Sequence, residues 1–207
     1  MLSRRASVAH MVVSVAHMVV EELRRQLAPA VKRSSEHPLV SEDEQIAIVD
    51  SLRDRFAHSI TLVSRDSEVS RPEGDAVNCY EFALGLFEHP RYWEILSAAR
   101  YRIPAQGLLI EDLITAGLER LDSSRDDAVV VYGHDCIGHV GRARGHNVRS
   151  KWSPGGCVWD HAPLEVPETY GRLMGYFAPP QIEQTLRVFE NEMSGVCRRA
   201  LDWYNAH

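Results

Sequence analysis

Residues 126 to 152 read DDAVVVYGHDCIGHVGRARGHNVRSKW, and the division of this run into strands decides the fold. Ala128 to Tyr132 is a short apolar run bounded by acidic residues and Gly133, the pattern of a buried strand. IGHVGRA and NVRSKW read as the two arms of a hairpin that turns about Arg144–His146. GCVWDHA (156–162) follows as a further strand.

Upstream of this run the apolar period is helical. One helix begins at Cys79 and extends to about residue 88, a second follows Pro90 through RYWEILSAAR, and GLLIEDLITAGLERL (107–121) predicts a third. The chain closes on PPQIEQTLRVFENEMSGVCRRALDWYNAH. There Ile182, Leu186, Phe189, Met193, Val196 and Leu201 form one apolar stripe. Helices first and antiparallel strands later make an α+β protein.

The N-terminal part is also helical. SVAHMVV occurs twice in tandem, at 7–13 and 14–20, and seven residues are close to two helical turns. Val8, Met11, Val12, Val15, Met18 and Val19 therefore form a stripe that Leu23 and Leu27 continue, with His10 and His17 on a common line. This reads as a duplication within a packing helix, two heptads being too few for a coiled coil. SSEHP ends that helix near Pro38. Ser41 and Glu44 form a capping box for a second helix, and SITLVS (59–64) reads as a short strand. The polar, Pro- and Gly-containing RDSEVSRPEGD (65–75) marks a boundary. The expected divisions are an N-terminal helical extension (1–64), a core (75–178) and a C-terminal helix packed on it (179–207).

The 207 residues carry a net charge of −6 with 44% hydrophobic content, which supports a sizeable core and argues against a nucleic-acid binder, since that needs a basic face. The start of the chain, arginines followed by an apolar stretch, is signal-like. It is interrupted by histidines, lacks a small-x-small cleavage site, and is too short and polar to span a bilayer. A cytoplasmic protein without a membrane span is expected, with export still compatible. Cys79, Cys136, Cys157 and Cys197 are scattered, with no C-x-x-C pair, and do not form a disulfide framework.

The position of Cys79 carries the chemistry. It stands where GDAVN turns into an apolar helix, and a helix N-terminus favours the thiolate. His139 begins a strand of the sheet that this helix would pack on. A thiol hydrolase needs such a pair: the imidazole takes the thiol proton, the thiolate attacks a carbonyl carbon, and a third polar group holds the imidazole. NCYEFALGL followed by DDAVVVYGHDCIGHVG resembles the NlpC-type papain-like cysteine peptidases. RSKWSPGGCVWDHAPLEVPETYG resembles a little-characterised bacterial branch of that superfamily with a Ser-Lys pair, a Gly turn, a His and a closing Tyr-Gly. The likeness covers about residues 74–171. It implies a papain-like core of helices on a small antiparallel sheet, Cys79 as nucleophile, His139 as base, no cofactor, and a peptide or amide-containing substrate.

In that superfamily the third residue lies on the next strand. Ser150 is the candidate, with His161 competing, and a one-residue slip in the hairpin brings Lys151 or Trp152 opposite His139 instead. The backbone N–H of Cys79 is an oxyanion donor candidate, joined by a nearby side chain. Asn78 either serves there or caps the helix. Two other readings compete: a catalytically inactive papain-like binding or scaffold module, and a zinc-stabilised module built from His134, Cys136, His139, His146, Cys157 and His161. The spacings of that set do not form paired knuckles, and strand alternation divides it between two faces. Cys136, Cys157 and Cys197 read as structural. Arg142, Arg144, Arg149 and Lys151 make the hairpin basic, either a solvated face or a site for an acidic group. The sequence leaves the oligomeric state open.

Overall fold

The computed structural model describes residues 2–31, 40–69, 77–98 and 105–206, with side chains over 15–195 of these. The break near Pro38, much of the 65–75 boundary, and the side chains of Val8, His10, Met11, Val12, Val196, Cys197 and Leu201 lie outside the described residues.

The N-terminal helix α1 spans Leu2–Leu27 and is followed by α2 (Glu42–Phe56) and the edge strand β1 (Thr61–Ser64). Ser41 caps α2 by accepting the Glu44 N–H at 3.2 Å. Helices α3 (Cys79–Leu84), α4 (Pro90–Ala98) and α5 (Gly107–Thr115) come next. Strands β2 (Arg120–Leu121), β3 (Val129–Gly133), β4 (Ile137–Arg144), β5 (Asn147–Lys151), β6 (Val158–His161) and β7 (Arg172–Phe177) precede α6 (Ile182–Ala206). Among the described residues seven strands pair in the order β1-β6-β5-β4-β3-β7-β2, every neighbouring pair antiparallel. The protein is α+β.

Helix α5 ends six residues earlier than its apolar pattern suggested. Gly117, at φ +100°, donates to the Ile114 carbonyl while Leu118 donates to that of Leu113, a Schellman end. The chain then turns into β2, which pairs Arg120 and Leu121 with Phe177 and Tyr176. Strand β7 had no counterpart in the sequence reading. A register shift opposite Val131 and Tyr132 breaks its alternation, so period-2 reasoning passes over it.

Alternation gives the sheet two dry faces. Val129, Val131 and Val140 face one way and pack with Ala83, Leu84 and Tyr92, with Leu109, Ile110 and Leu113 of α5, and with Leu186, Phe189 and Met193 of α6. Val130, Tyr132, Ala143 and Val148 face the other way. That second face continues into Trp152 and Trp159, which α1 and α2 cover with Leu23, Leu27, Val49 and Leu52. The N-terminal segment packs on the sheet through this cluster of its own, and its β1 hydrogen-bonds to β6. Further out on α1, Val15, Met18 and Val19 are exposed, whereas Leu23 and Leu27, which continue the stripe, are buried.

One buried amide ties α2 to the sheet. Gln45 donates to the carbonyls of Ala30 at 2.9 Å and Trp152 at 3.3 Å, and accepts from Cys157 N–H at 2.8 Å and Trp159 Nε1 at 2.9 Å. Burial of these groups without partners would cost about 1–3 kcal/mol each. Buried His58 likewise bridges the Val49 carbonyl and the Ile60 N–H. Replacing Gln45 by Leu should keep the volume but strand two N–H donors. Urea unfolding should show a loss of roughly 3 kcal/mol with a native far-UV spectrum.

Candidate functional site

Helix α3 is only six residues long, so its N-terminus must be held from outside. Asn78 is the cap: its Oδ1 accepts from Tyr80 N–H at 2.9 Å and Glu81 N–H at 3.0 Å, and its Nδ2 donates to the Ala105 carbonyl at 2.7 Å. Glu81 answers by accepting the Asn78 N–H at 2.7 Å, and the Tyr92 hydroxyl donates to its other oxygen. Both Asn78 side-chain ends are thus engaged in the frame of the helix rather than offered to an oxyanion.

This frame places Cys79 in a cleft of about 570 Å³ lined by Asn78, Tyr80, Gly138, Ser153 and Tyr170, among others. The cleft opens where the sheet forks. Strand β4 pairs with β5 only through Arg142–Arg144, leaving Val140 and His139 beyond the end of that ladder. Cys79 as a residue is 9% exposed, and burial pushes the pKa of its thiol up to about 12. The main-chain N–H groups of Val140, Cys79 and Tyr80 favour the thiolate but do not offset burial.

The expected Cys79–His139 hydrogen bond is not formed. His139 pairs with Tyr132, not with the Val140–Val131 row that packs on Cys79, so its side chain leaves β4 on the opposite face. There it is fully buried and stacks on Tyr170, ring centroids 3.8 Å apart and planes within 4°. Neither ring nitrogen has a hydrogen-bond partner among the described residues. Burial first, then the neighbouring His161, hold its pKa well below the usual imidazole range. Sulfur and imidazole are both neutral.

The hairpin register also moves the expected third residue. Arg144 pairs with Asn147 across the two-residue turn and Arg142 with Arg149, so Ser150 follows opposite Gly141 rather than His139. Ser150 and His161 find each other instead. The His161 Nδ1–H donates to its neighbour's carbonyl, Ala162 O, at 2.8 Å, which leaves Nε2 to accept the Ser150 hydroxyl at 2.8 Å. Trp152 Nε1–H donates to the same hydroxyl at 3.1 Å. All three side chains are fully buried, and Trp152 belongs to the α1–α2 core. This network lies beside His139 without hydrogen-bonding it. Lys151 is sealed as well, its ammonium 2.5 Å from Asp66 and donating to the Gly156 carbonyl, so it does not reach the cleft. The zinc reading also fails on arrangement: among the described residues no three His, Cys, Asp or Glu side chains converge. No helix among them is long and apolar enough to cross a membrane.

Tyr170 is the residue that the sequence reading left without a role. Its ring both lines the cleft and covers His139, and its hydroxyl accepts the Ser153 N–H at 3.0 Å. Gly171 makes that position possible. At φ +84°, a Cβ there would lie 2.3 Å from the Gly133 carbonyl carbon, and Arg24 donates to its carbonyl. An aromatic residue followed by a glycine at the end of a loop was the available signal.

No protein family, curated protein or solved structure matches the chain.

Two outcomes follow from this geometry. Gly171→Ala should lower the unfolding midpoint and displace Tyr170 from His139, read as chemical-shift changes of the His139 ring protons. Stability should also depend on pH through His161, whose pKa burial lowers from 6.5 to about 4 against the opposing pull of the Ala162 carbonyl, Glu165 and Asp160. The unfolded chain binds the proton first. Stability is therefore complete above about pH 6.5 and declines as pH falls toward 4, by about 2 kcal/mol at pH 5 from this residue alone. His161→Gln should flatten that decline in urea titrations.

Proposed function

We propose that the protein is a papain-like thiol hydrolase or acyl transferase acting on amide or peptide bonds, with Cys79 as nucleophile and His139 as general base. The observation that carries this reading is the pair of groups at the fork of the sheet. A thiol at a capped helix N-terminus opens into the cleft, and a fully buried imidazole with two unused nitrogens leaves the strand residue next to the amide that faces the sulfur. A buried polar group without partners needs a reason, and a proton-transfer role is one.

In the proposed reaction the His139 ring leaves its stack on Tyr170 and passes the open edge of β4. It takes the Cys79 proton, and the thiolate attacks the substrate carbonyl carbon. The resulting oxyanion accepts from main-chain N–H groups near Cys79, with that of Val140 in reach of the same site. The imidazolium returns its proton to the leaving amine as the C–N bond breaks. Water then cleaves the thioester, or a second amine accepts the acyl group. Hydrogen bonds of this kind are often unformed until substrate is present.

A second reading is favoured by the same unformed pair: a non-catalytic module that binds a peptide or amide in the cleft. Alkylation separates the two. With iodoacetamide, Cys79 should be modified faster than its raised pKa allows for an isolated thiol, and His139→Ala should slow it about tenfold at neutral pH. Exposed Cys136 serves as the internal reference. Turnover of peptide and amide substrates should vanish in Cys79→Ala. Equal Cys79 labelling with and without His139, together with no turnover by the unaltered protein, would leave the binding module as the reading.

A further inference from the structure

A second cleft, of about 200 Å³, is lined by Phe82, Phe87, Glu88, Arg142, Arg144 and Arg149, toward the C-terminal end of α3 and away from Cys79. Arg142 and Arg149 are direct cross-strand partners on the α3 face of the sheet, and Arg144 lies two residues along the same strand. Like charges placed opposite each other are unfavourable unless balanced.

Two of the three are balanced. Arg149 holds both oxygens of Asp160 at 2.8 Å, and Arg144 holds Asp127 at 2.6 Å. Arg142 is different. Its Nε donates to the Ala83 carbonyl at 3.0 Å, and it makes no ion pair among the described residues. Burial weakens its hold on the proton, opposed by the charges of Asp127 and Glu88, while Arg144 adds to the weakening. A half-buried guanidinium without a bound carboxylate among the described residues, lining a cleft, is a cation that a ligand would complete.

The donors left over define that ligand. Arg142 keeps both terminal nitrogens, Arg149 keeps one, and Arg144 keeps N–H groups beyond its Asp127 bond. They come from three side chains rather than one fork. The fork of a single guanidinium matches a planar carboxylate, which presents its acceptors in one plane, whereas a tetrahedral oxyanion presents them in several directions and suits donors converging from three side chains. Arg144 and Arg149 are already fixed by their carboxylates, so binding costs them little further freedom. Phe82 and Phe87, stacked with centroids 5.7 Å apart, give the cleft an apolar wall. Glu88 is the one lining carboxylate that no cation in the cleft bonds, and it opposes an anion.

We propose that this cleft binds a phosphate-type oxyanion through Arg142, with Arg144 and Arg149 as supporting donors and Glu88 as the group that weakens it. The site is independent of Cys79 and of the hydrolase reading.

Isothermal titration with inorganic phosphate and with phenyl phosphate tests it on the full chain at low ionic strength. Both should bind saturably. Arg142→Gln should weaken both by about tenfold or more, and Glu88→Gln, at an exposed position, should tighten both several-fold. Tighter binding of phenyl phosphate supports a phosphomonoester using the Phe82–Phe87 wall, and equal binding supports free phosphate. No saturable binding up to roughly 10 mM would overturn the site, as would an Arg142→Gln protein with native unfolding behaviour and undiminished binding. Should Arg142→Gln fail to fold, Glu88→Gln decides alone: tightening supports the site and unchanged affinity removes it.

Discussion

In a pleated strand, neighbouring side chains must go to opposite faces, and β4 places His139 and Val140 under that constraint. Val140 goes to the face covered by α3, α5 and α6, and Cys79 joins it there. His139 therefore goes to the face with Tyr132 and Tyr170. Every feature of the candidate site follows from this division. The thiol and the imidazole therefore lie on opposite faces of β4, and the pairing of that strand with β5 stops short of both His139 and Val140.

The helix that carries Cys79 is too short to stabilise itself, so its position depends on polar anchors. Asn78, Glu81, Tyr92 and the Ala105 main chain form one connected set of hydrogen bonds around its first turn. Comparable buried sets hold the other face: Gln45 with Trp152 and Trp159, Lys151 against Asp66, and Ser150 with His161 and Trp152. Such networks add little net stability over apolar packing, but each penalises alternative registers because a slip leaves several buried groups unpaired. That explains why residues resembling catalytic ones, Ser150, Lys151 and His161, serve the core instead. Their chemistry satisfies neighbours in a dry layer and leaves nothing to offer a substrate.

Electrostatically the cleft rests in a discharged state. Burial raises the Cys79 thiol to about 12 and lowers the His139 imidazole, so the two shifts move in opposite directions and both favour neutral groups. An ion pair between them would reverse both shifts, and it requires the ring to exchange its contact with Tyr170 for one with sulfur. In the arginine cleft, by contrast, Arg149 and Arg144 are paired with Asp160 and Asp127, while Arg142 makes no ion pair among the described residues.

The local patterns were legible in the sequence. A continuous apolar run located β3, strand patterns located β4 through β6, helical period located α2 through α6, and the capping chemistry of Ser41 marked the start of α2. The hairpin turn was legible as well, because a Gly between basic strands permits few alternatives. Tertiary structure decided what no local pattern records. A register shift hid β7, and a Schellman end at Gly117 cut α5 short. Pairing across the hairpin placed Ser150 opposite Gly141 rather than His139. Residue types told which side chains were capable of acid–base or nucleophilic work. Which face each one occupies depends on strand register and on the helices that seal each side, and those are set by contacts between residues far apart in the chain.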